Sequence, residues 1–292
     1  MSAIILSGSE LAKSMRAEIE AEVSNFVKKH NVKPTAAVVR VGDDPASISY
    51  SNALEKAFGG RGLGFQLHTL PGNASQKEIV GLVAKLNADK SVHGIMVQEP
   101  LPKGIDEAAV KEAMSPDKDV DGVHPVNAGR LAQAAPAGRP PMVGPFFVPA
   151  TPAGGMEILK RNKVSLQGKH AVIVGRSNIV GKPMALLLLR ENASVTICHS
   201  QTNDLPGTCR TADILCAAVG KANMINGDWI KPGAIVIDFG VNFIDGQMVG
   251  DVDYESASHV AGMITPVPGG TGPMTNIMLM KNVIESARRQ AG

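Results

Sequence analysis

Arg176 and Ser177 stand between two glycines, Gly175 and Gly181, in the stretch AVIVGRSNIVGKP that covers residues 171–183. These residue types at this spacing suit the binding of a phosphate. Ala171-Val172-Ile173-Val174 reads as a short buried strand. After the glycine turn comes MALLLLREN (184–192), a strong helix former, with Pro183 placed where a first helical turn tolerates it. Strand, glycine turn and helix together present free backbone N–H groups and a positive dipole end to an anion. Gly175 allows the tight turn, and Gly181 lets the helix approach the strand. The spacing is G-x-x-x-x-x-G rather than G-x-G-x-x-G, so an ordinary strand-to-helix turn stays open on this motif alone.

A second strand, Ser194 to Cys198, follows about 20 residues on and ends at His199-Ser200-Gln201-Thr202. An NAD site usually places an acid here to hold the ribose 2′-hydroxyl. None is present. Ser200, Thr202 and Arg176 suit a 2′-phosphate instead, which predicts NADP over NAD; the alternative is that they only cap a strand.

Two further loops carry polar or backbone chemistry. Pro116 to Pro125 contains DKDVDGVHP, a rigid polar loop of the kind that lies at a surface or lines a cleft. Pro266 to Thr275 is a Gly/Pro loop that can bring backbone close to a ligand. His124 and His199 read as structural, and the seven histidines show no metal-ligand spacing, so no metal is expected. Met274, Met278 and Met280 read as core filler.

Those residues need a scaffold. A chain of 292 residues favours two domains. Apolar content of 44% and charged content of 19% fit a globular protein. A net charge of +2 and 3% aromatic residues give neither a field nor a stacking platform for nucleic acid or an acidic membrane. The three cysteines form no CxxC pair, and no secretory or spanning segment is evident, which points to a reduced cytoplasmic compartment. Strands Asp213–Gly220 and Ala234–Asp238, with helical spacers, extend the nucleotide half into a doubly wound parallel sheet. In the other half the pattern predicts a strand at Ala3–Leu6, one amphipathic helix over 10–29, strands at Thr35–Val41, Phe65–Leu70 and Val92–Gln98, and helices at Ala46–Gly59 and Gln76–Leu86. Ala134–Pro149 reads as a connector, and Thr151 as the N-cap of the next helix with Pro152 at its first position.

VGDDPAS (41–47), DKDVDGVHP (117–125), GRSNIVGKP (175–183) and TPVPGGTGPMT (265–275) resemble the methylenetetrahydrofolate dehydrogenase/cyclohydrolase family over essentially the whole chain. The resemblance implies an α/β fold of two domains facing each other across a cleft. Residues 1–147 with a C-terminal helix at 275–292 would form the folate-binding catalytic domain, and 148–274 the Rossmann-type NADP-binding domain. It implies a homodimer and tetrahydrofolate one-carbon derivatives as substrates. Tyr50 matches the tyrosine that lies against folate, Gln98 the glutamine that supports a catalytic lysine, and Asp121 the aspartate that binds the pterin. Gly175, Arg176, Ser177 and Ser200 match the cofactor turn and its 2′-phosphate partners. Val241 matches the position where an aliphatic residue borders the nicotinamide in the family, and Gly269, Gly270 and Pro273 match the loop that borders the folate.

The chain departs from the family where hydrolysis is driven. Tyr-x-x-x-Lys becomes Tyr50-Ser51-Asn52-Ala53-Leu54. Lys56 is two positions further, about 200° around a helix, and is expected to face away. Glu99 replaces a leucine, Ala150 a cysteine, Thr271 and Asn276 common valines, and the connector Ala135–Phe147 is long. Hydride transfer asks mainly for positioning, whereas hydrolysis asks for a general acid/base. The expectation is an NADP-dependent methylenetetrahydrofolate dehydrogenase whose cyclohydrolase step is weak or lost, with Glu99 a minor candidate for a substitute base. The alternatives are a fully bifunctional enzyme, a non-catalytic folate-binding paralogue, or a two-domain dehydrogenase of a small acid or amino acid.

Overall fold

The computed structural model describes residues 2–292. The chain forms two compact units: one takes the chain up to Lys13, Leu131–Gly144 and Thr151–Thr275, the other Ser14–Arg130, Pro145–Ala150 and Asn276–Gly292.

The first unit is built on a six-stranded sheet in the order Ile4–Ile5, Met263–Ile264, Ile235–Asp238, Ile214–Ala217, His170–Val174, Ser194–Cys198. Every neighbouring pair is parallel. Parallel strands are covered on both faces and read as continuous apolar runs, and Ala171 to Val174 and Ile214 to Ala217 are fully buried accordingly. From His170–Val174 the chain steps outward to Ser194–Cys198, then returns to the other side at Ile214–Ala217. The order therefore reverses beside His170–Val174, and in such sheets ligands bind outside the carboxyl ends of the strands at that reversal.

Three expectations are corrected here. The boundary at residue 147 does not hold, because Ile4 and Ile5 pair with Met263 and Ile264 as the edge strand of the nucleotide sheet. Leu131–Gly144 is held there too, by Arg190 Nε donating to Ala135 O at 3.0 Å and Ala137 N donating to Arg190 O at 2.8 Å. The spacers are less helical than expected: only Leu205–Cys209 lies between the second and third strands, and a short 3₁₀ turn, Gly227–Trp229, precedes Ile235–Asp238. The helix after the connector starts at Ala150. Thr151 is thus already inside its first turn, where its hydroxyl accepts from Thr275 Oγ1 at 3.3 Å rather than capping.

The second unit has a three-stranded parallel sheet in the order Gly64–Leu70, Thr35–Val41, Gly94–Val97. Helix Gln76–Ala88 packs Ile79, Val83 and Leu86 on one face of it, with Val110 and Met114 completing that core. A capping box closes its first turn: Ser75 and Glu78 each accept or donate across the N-terminus. The predicted helix over 10–29 is two helices, Gly8–Ser14 and Arg16–His30. Met15 between them is a fully buried turn residue, and the break falls where the chain passes from one unit to the other.

The helix Thr271–Gln290 braces the DKDVDGVHP loop. Ser286 Oγ donates to His93 O at 2.5 Å and Asp117 O at 2.7 Å; Asn282 Nδ2 donates to Val120 O at 2.7 Å and Val148 O at 3.1 Å. Buried carbonyls of an irregular loop need such donors. Among the described residues no helix is long and apolar enough to cross a membrane.

Candidate active site

In the nucleotide unit, Gly175 follows the strand directly, with φ +127°. A Cβ there would overlap the carbonyl of Ala218, and one on Gly181 would overlap the carbonyl of Gly175. Both glycines are thus demanded by sterics. Gly175 N donates to Cys198 O at 2.9 Å, which joins the carboxyl ends of the two strands. Ser177 Oγ accepts from Val180 N at 3.1 Å and Gly181 N at 3.3 Å, so in this state it caps the helix Gly181–Arg190. Arg176, Ser177 and Ser200 are exposed at this end. Thr202 Oγ1 accepts from His199 N at 2.9 Å and His199 Nδ1 from Gln201 N at 3.1 Å, so these two shape the strand end. A side-chain-free cradle with a cation and hydroxyls beside it, and no acid at the second strand, fits a 2′-phosphorylated dinucleotide.

Two buried aspartates that the sequence reading missed hold the neighbouring loops. Asp251 accepts from Val219 N at 2.6 Å, Gly220 N at 3.0 Å, Lys221 N at 2.9 Å and Asn242 Nδ2 at 2.9 Å. Asp238 accepts from Gly240 N at 2.8 Å, Asp251 N at 3.1 Å and Val252 N at 2.9 Å, and burial pushes its carboxyl up to about 6 against those donors. Val241 between them is 60% exposed. The loop from Pro266 makes its close backbone approach to its own chain. A Cβ on Gly8 would overlap the Gly270 carbonyl, and Ser9 N donates to Gly269 O at 2.9 Å. Gly269 has φ +100° and Gly270 is buried, while Pro273 is half-buried in the first turn of the helix that follows. Met274 and Met280 are core, as expected, and Met278 is half-buried.

In the second unit, the helix Pro45–Gly59 starts on Asp44, whose carboxylate accepts from Ser47 N at 2.8 Å. Its inward face is Ser47, Ser51, Leu54 and Phe58. Leu54 is completely buried and Lys56 is exposed, as the helical spacing requires. Tyr50 is half-buried; burial and then the Asp121 charge raise its hydroxyl above the usual range.

The strand Gly94–Val97 runs parallel to the DKDVDGVHP loop at Ile95 and Asp119, with Ile95 N donating to Lys118 O at 2.6 Å. That register carries Gln98 and Asp121 to the same end of the strand. Gln98 is buried, and its Nε2 donates to Ser47 O at 2.8 Å, but its Oε1 is buried with no partner. Asp121 receives no hydrogen bond among the described residues. Burial, then the charges of Asp119 and Glu99, push its carboxyl up to about 7, with Lys111 opposing. Asp119 is a structural anchor: it accepts from Val123 N at 3.1 Å, His124 N at 2.8 Å and Asn127 Nδ2 at 2.8 Å. His124 Nδ1 accepts from Val126 N at 3.0 Å, which gives it the structural role expected. Glu99 is held 2.5 Å from Lys111 Nζ.

Residues 6–121 match the family model for the tetrahydrofolate dehydrogenase/cyclohydrolase catalytic domain, and residues 149–291 that for its NAD(P)-binding domain. A relative from Roseiflexus sp. (strain RS-1), named bifunctional protein FolD, is 50% identical over 99% of this chain and 98% of its own length. The chain belongs to the tetrahydrofolate dehydrogenase/cyclohydrolase family. The crystal structure of the bifunctional enzyme FolD from Campylobacter jejuni matches with a TM-score of 0.93 at 40% identity over 99% of both chains. That of the Trypanosoma brucei dehydrogenase-cyclohydrolase, complexed with NADP cofactor and inhibitor, matches at 0.91 and 35% identity, over 99% of this chain and 98% of that one.

Against this family background Arg40 is a further residue that motif reading passed over. It lies next along its strand after Val39, the partner of Val97, so it stands beside Gln98 on the same face. Its Nη1 donates to Ser51 Oγ at 2.8 Å, and its Nε is buried without an acceptor. An arginine inside an apolar strand was the available signal.

Proposed function

We propose that this protein oxidises 5,10-methylenetetrahydrofolate to 5,10-methenyltetrahydrofolate with NADP and hydrolyses the methenyl product poorly. The observation that carries the second half is the pair Leu54 and Gln98: a non-titrating, fully buried side chain where the family has its lysine, and a buried glutamine oxygen left without a donor. NADP, when bound, accepts the hydride at its nicotinamide C4.

The chain's own residues bind and orient. Gly175 and Gly181 let the backbone of the turn between them come close to the phosphates, and Arg176 with Ser200 takes the 2′-phosphate. Ser177 supports that turn by holding the helix start, and Val241 offers an apolar side to the nicotinamide. Gly269, Gly270 and Pro273 shape backbone beside the folate. Tyr50 lies flat against the substrate, and Asp121 accepts N–H groups of the pterin. The folate nitrogen next to the reacting carbon stabilises the cation that forms, so positioning suffices for this step. Water addition needs a group that takes one proton and returns another. Glu99 is a poor substitute base because Lys111 already holds its carboxylate.

Following NADPH and methenyltetrahydrofolate separately tests both halves. Dehydrogenase turnover with little methenyl hydrolysis is expected; hydrolysis at the rate of a lysine-bearing relative overturns the division. Lys56→Ala is expected to change either activity less than about twofold, because an exposed side chain on the far side of the helix contributes no contact. The family reading also carries a homodimer, for which sedimentation is the test.

The state of Asp121 sets a pH dependence. Its ionised form accepts pterin N–H groups, so the folate KM should rise as pH falls below about 7. Asp121→Asn should flatten that limb. The sign for stability is opposite. A carboxyl raised above its unfolded value penalises the folded state when ionised, so this contribution weakens folding as pH climbs from the unfolded carboxylate range through about 7. Asp121→Asn should therefore raise the thermal midpoint at pH 8 and not at pH 4.

A further inference from the structure

Asn276 presents a second buried oxygen without a donor. Among the described residues, four buried side-chain polar atoms have no partner: Arg40 Nε, Arg61 Nε, Gln98 Oε1 and Asn276 Oδ1. Gln98 lacks the lysine that Leu54 replaces. Arg61 lies beyond the far end of the helix Pro45–Gly59, and its guanidinium is engaged at Ala57 O, 2.7 Å from Nη1. Asn276 has no such account.

Its place in the fold is informative. Asn276 heads a stripe at i, i+4, i+7 and i+11 on the C-terminal helix, whose other members, Met280, Val283 and Ala287, are fully buried. The same helix tracks the DKDVDGVHP loop, with Ser286 at Asp117 and Asn282 at Val120. Toward its N-terminus it therefore runs in the direction of Asp121, and Asn276 lies about 9 Å beyond Asn282 along the axis. An amide that heads an apolar stripe, with its oxygen unpaired, is placed for a ligand that brings its own N–H.

We infer that Asn276 is a substrate-specificity residue of the folate site, whose amide oxygen accepts an N–H from the pterin end of a tetrahydrofolate beside Asp121. This rests on the functional reading above. It adds a hydrogen-bonding group where the family commonly has valine, so the contact belongs to this chain rather than to the shared machinery.

Equilibrium binding of tetrahydrofolate and of NADP to the full-length protein tests it, using Asn276→Val and its near-isostere Asn276→Thr. Asn276→Val should weaken tetrahydrofolate binding about tenfold, roughly 1.4 kcal/mol. It should leave NADP binding within about twofold and keep or raise the thermal midpoint, since an unpaired buried oxygen has gone. Asn276→Thr, with a hydroxyl in the same volume, should recover about a third or more of the lost affinity. Unchanged tetrahydrofolate binding in Asn276→Val overturns the assignment, as does a parallel loss of both ligands with a lowered midpoint. Wild-type protein that binds no tetrahydrofolate overturns the function proposed above instead.

Discussion

Leu54→Lys should raise methenyltetrahydrofolate hydrolysis by ~10²–10⁴-fold, the usual worth of a positioned general acid/base. Leu54 is fully buried on the inward face of its helix, with Gln98 Nε2 bonded to Ser47 O on that same face. A lysine installed there should supply the unpaired Gln98 Oε1 with a donor. Burial also favours the neutral amine, the form that can take a proton from water. The substitution removes a buried leucine and desolvates an amine, so a stability loss of about 2–4 kcal/mol is expected beside the gain. The dehydrogenase should stay within a few fold, since its step needs no proton transfer from the protein. Leu54→Met separates the two effects: it keeps the volume, cannot titrate, and should leave both activities alone. The measurement is hydrolysis at fixed methenyltetrahydrofolate, with the thermal midpoint as control. A folded Leu54→Lys protein with unchanged hydrolysis would show that the missing amine is not what limits the step.

Gly175→Ala should cost the protein its cofactor. Gly175 has φ +127°, a conformation that L side chains rarely adopt, and its Cβ position is filled by the Ala218 carbonyl. That carbonyl belongs to a backbone already fixed by Ala218 N donating to Val174 O at 2.8 Å, so it cannot simply step aside. The turn must move, and the N–H groups proposed to meet the phosphates move with it. Losing two charge-assisted hydrogen bonds at ~1.5–3 kcal/mol each predicts NADP affinity lower by ~10²-fold or more. Tetrahydrofolate binding should fall far less, since Tyr50, Gln98 and Asp121 lie in the other unit. Calorimetric titration with each ligand reads both outcomes; a variant that binds NADP normally would remove the turn from the cofactor site.

Much of this was legible from local pattern. Ser194 to Cys198 is a strand over the residues expected, and the turn from Gly175 into the helix at Gly181 lies where the glycines put it. Period and turn chemistry suffice when an element is long and its breakers are strong. Ile4–Ile5 failed for the opposite reason: two apolar residues fit the edge of either sheet, and only the pairing with Met263 and Ile264 decides. Thr151 failed because Ala150, the strongest type of helix former, extends the helix one residue upstream. The packing of the Gly270 carbonyl on Gly8 is not legible either, because that contact spans almost the whole chain. In the candidate site, motifs single out Tyr50, Gln98 and Asp121. The unpaired atoms of Arg40, Gln98 and Asn276 were not, because lacking a partner is a property of surroundings rather than of sequence.

The edge strand at Ile4–Ile5 also sets an order of assembly. It is made before every other strand described here, and its partner at Met263 is made about 260 residues later. At ~5–20 residues per second it waits on the order of ten to fifty seconds for that partner. During this interval the adjoining Ser14–Arg130 segment emerges entire, yet the helix that braces it comes only with the last twenty or so residues. Neither half can be cut out as one continuous gene fragment, and a product truncated before Met263 leaves both unfinished.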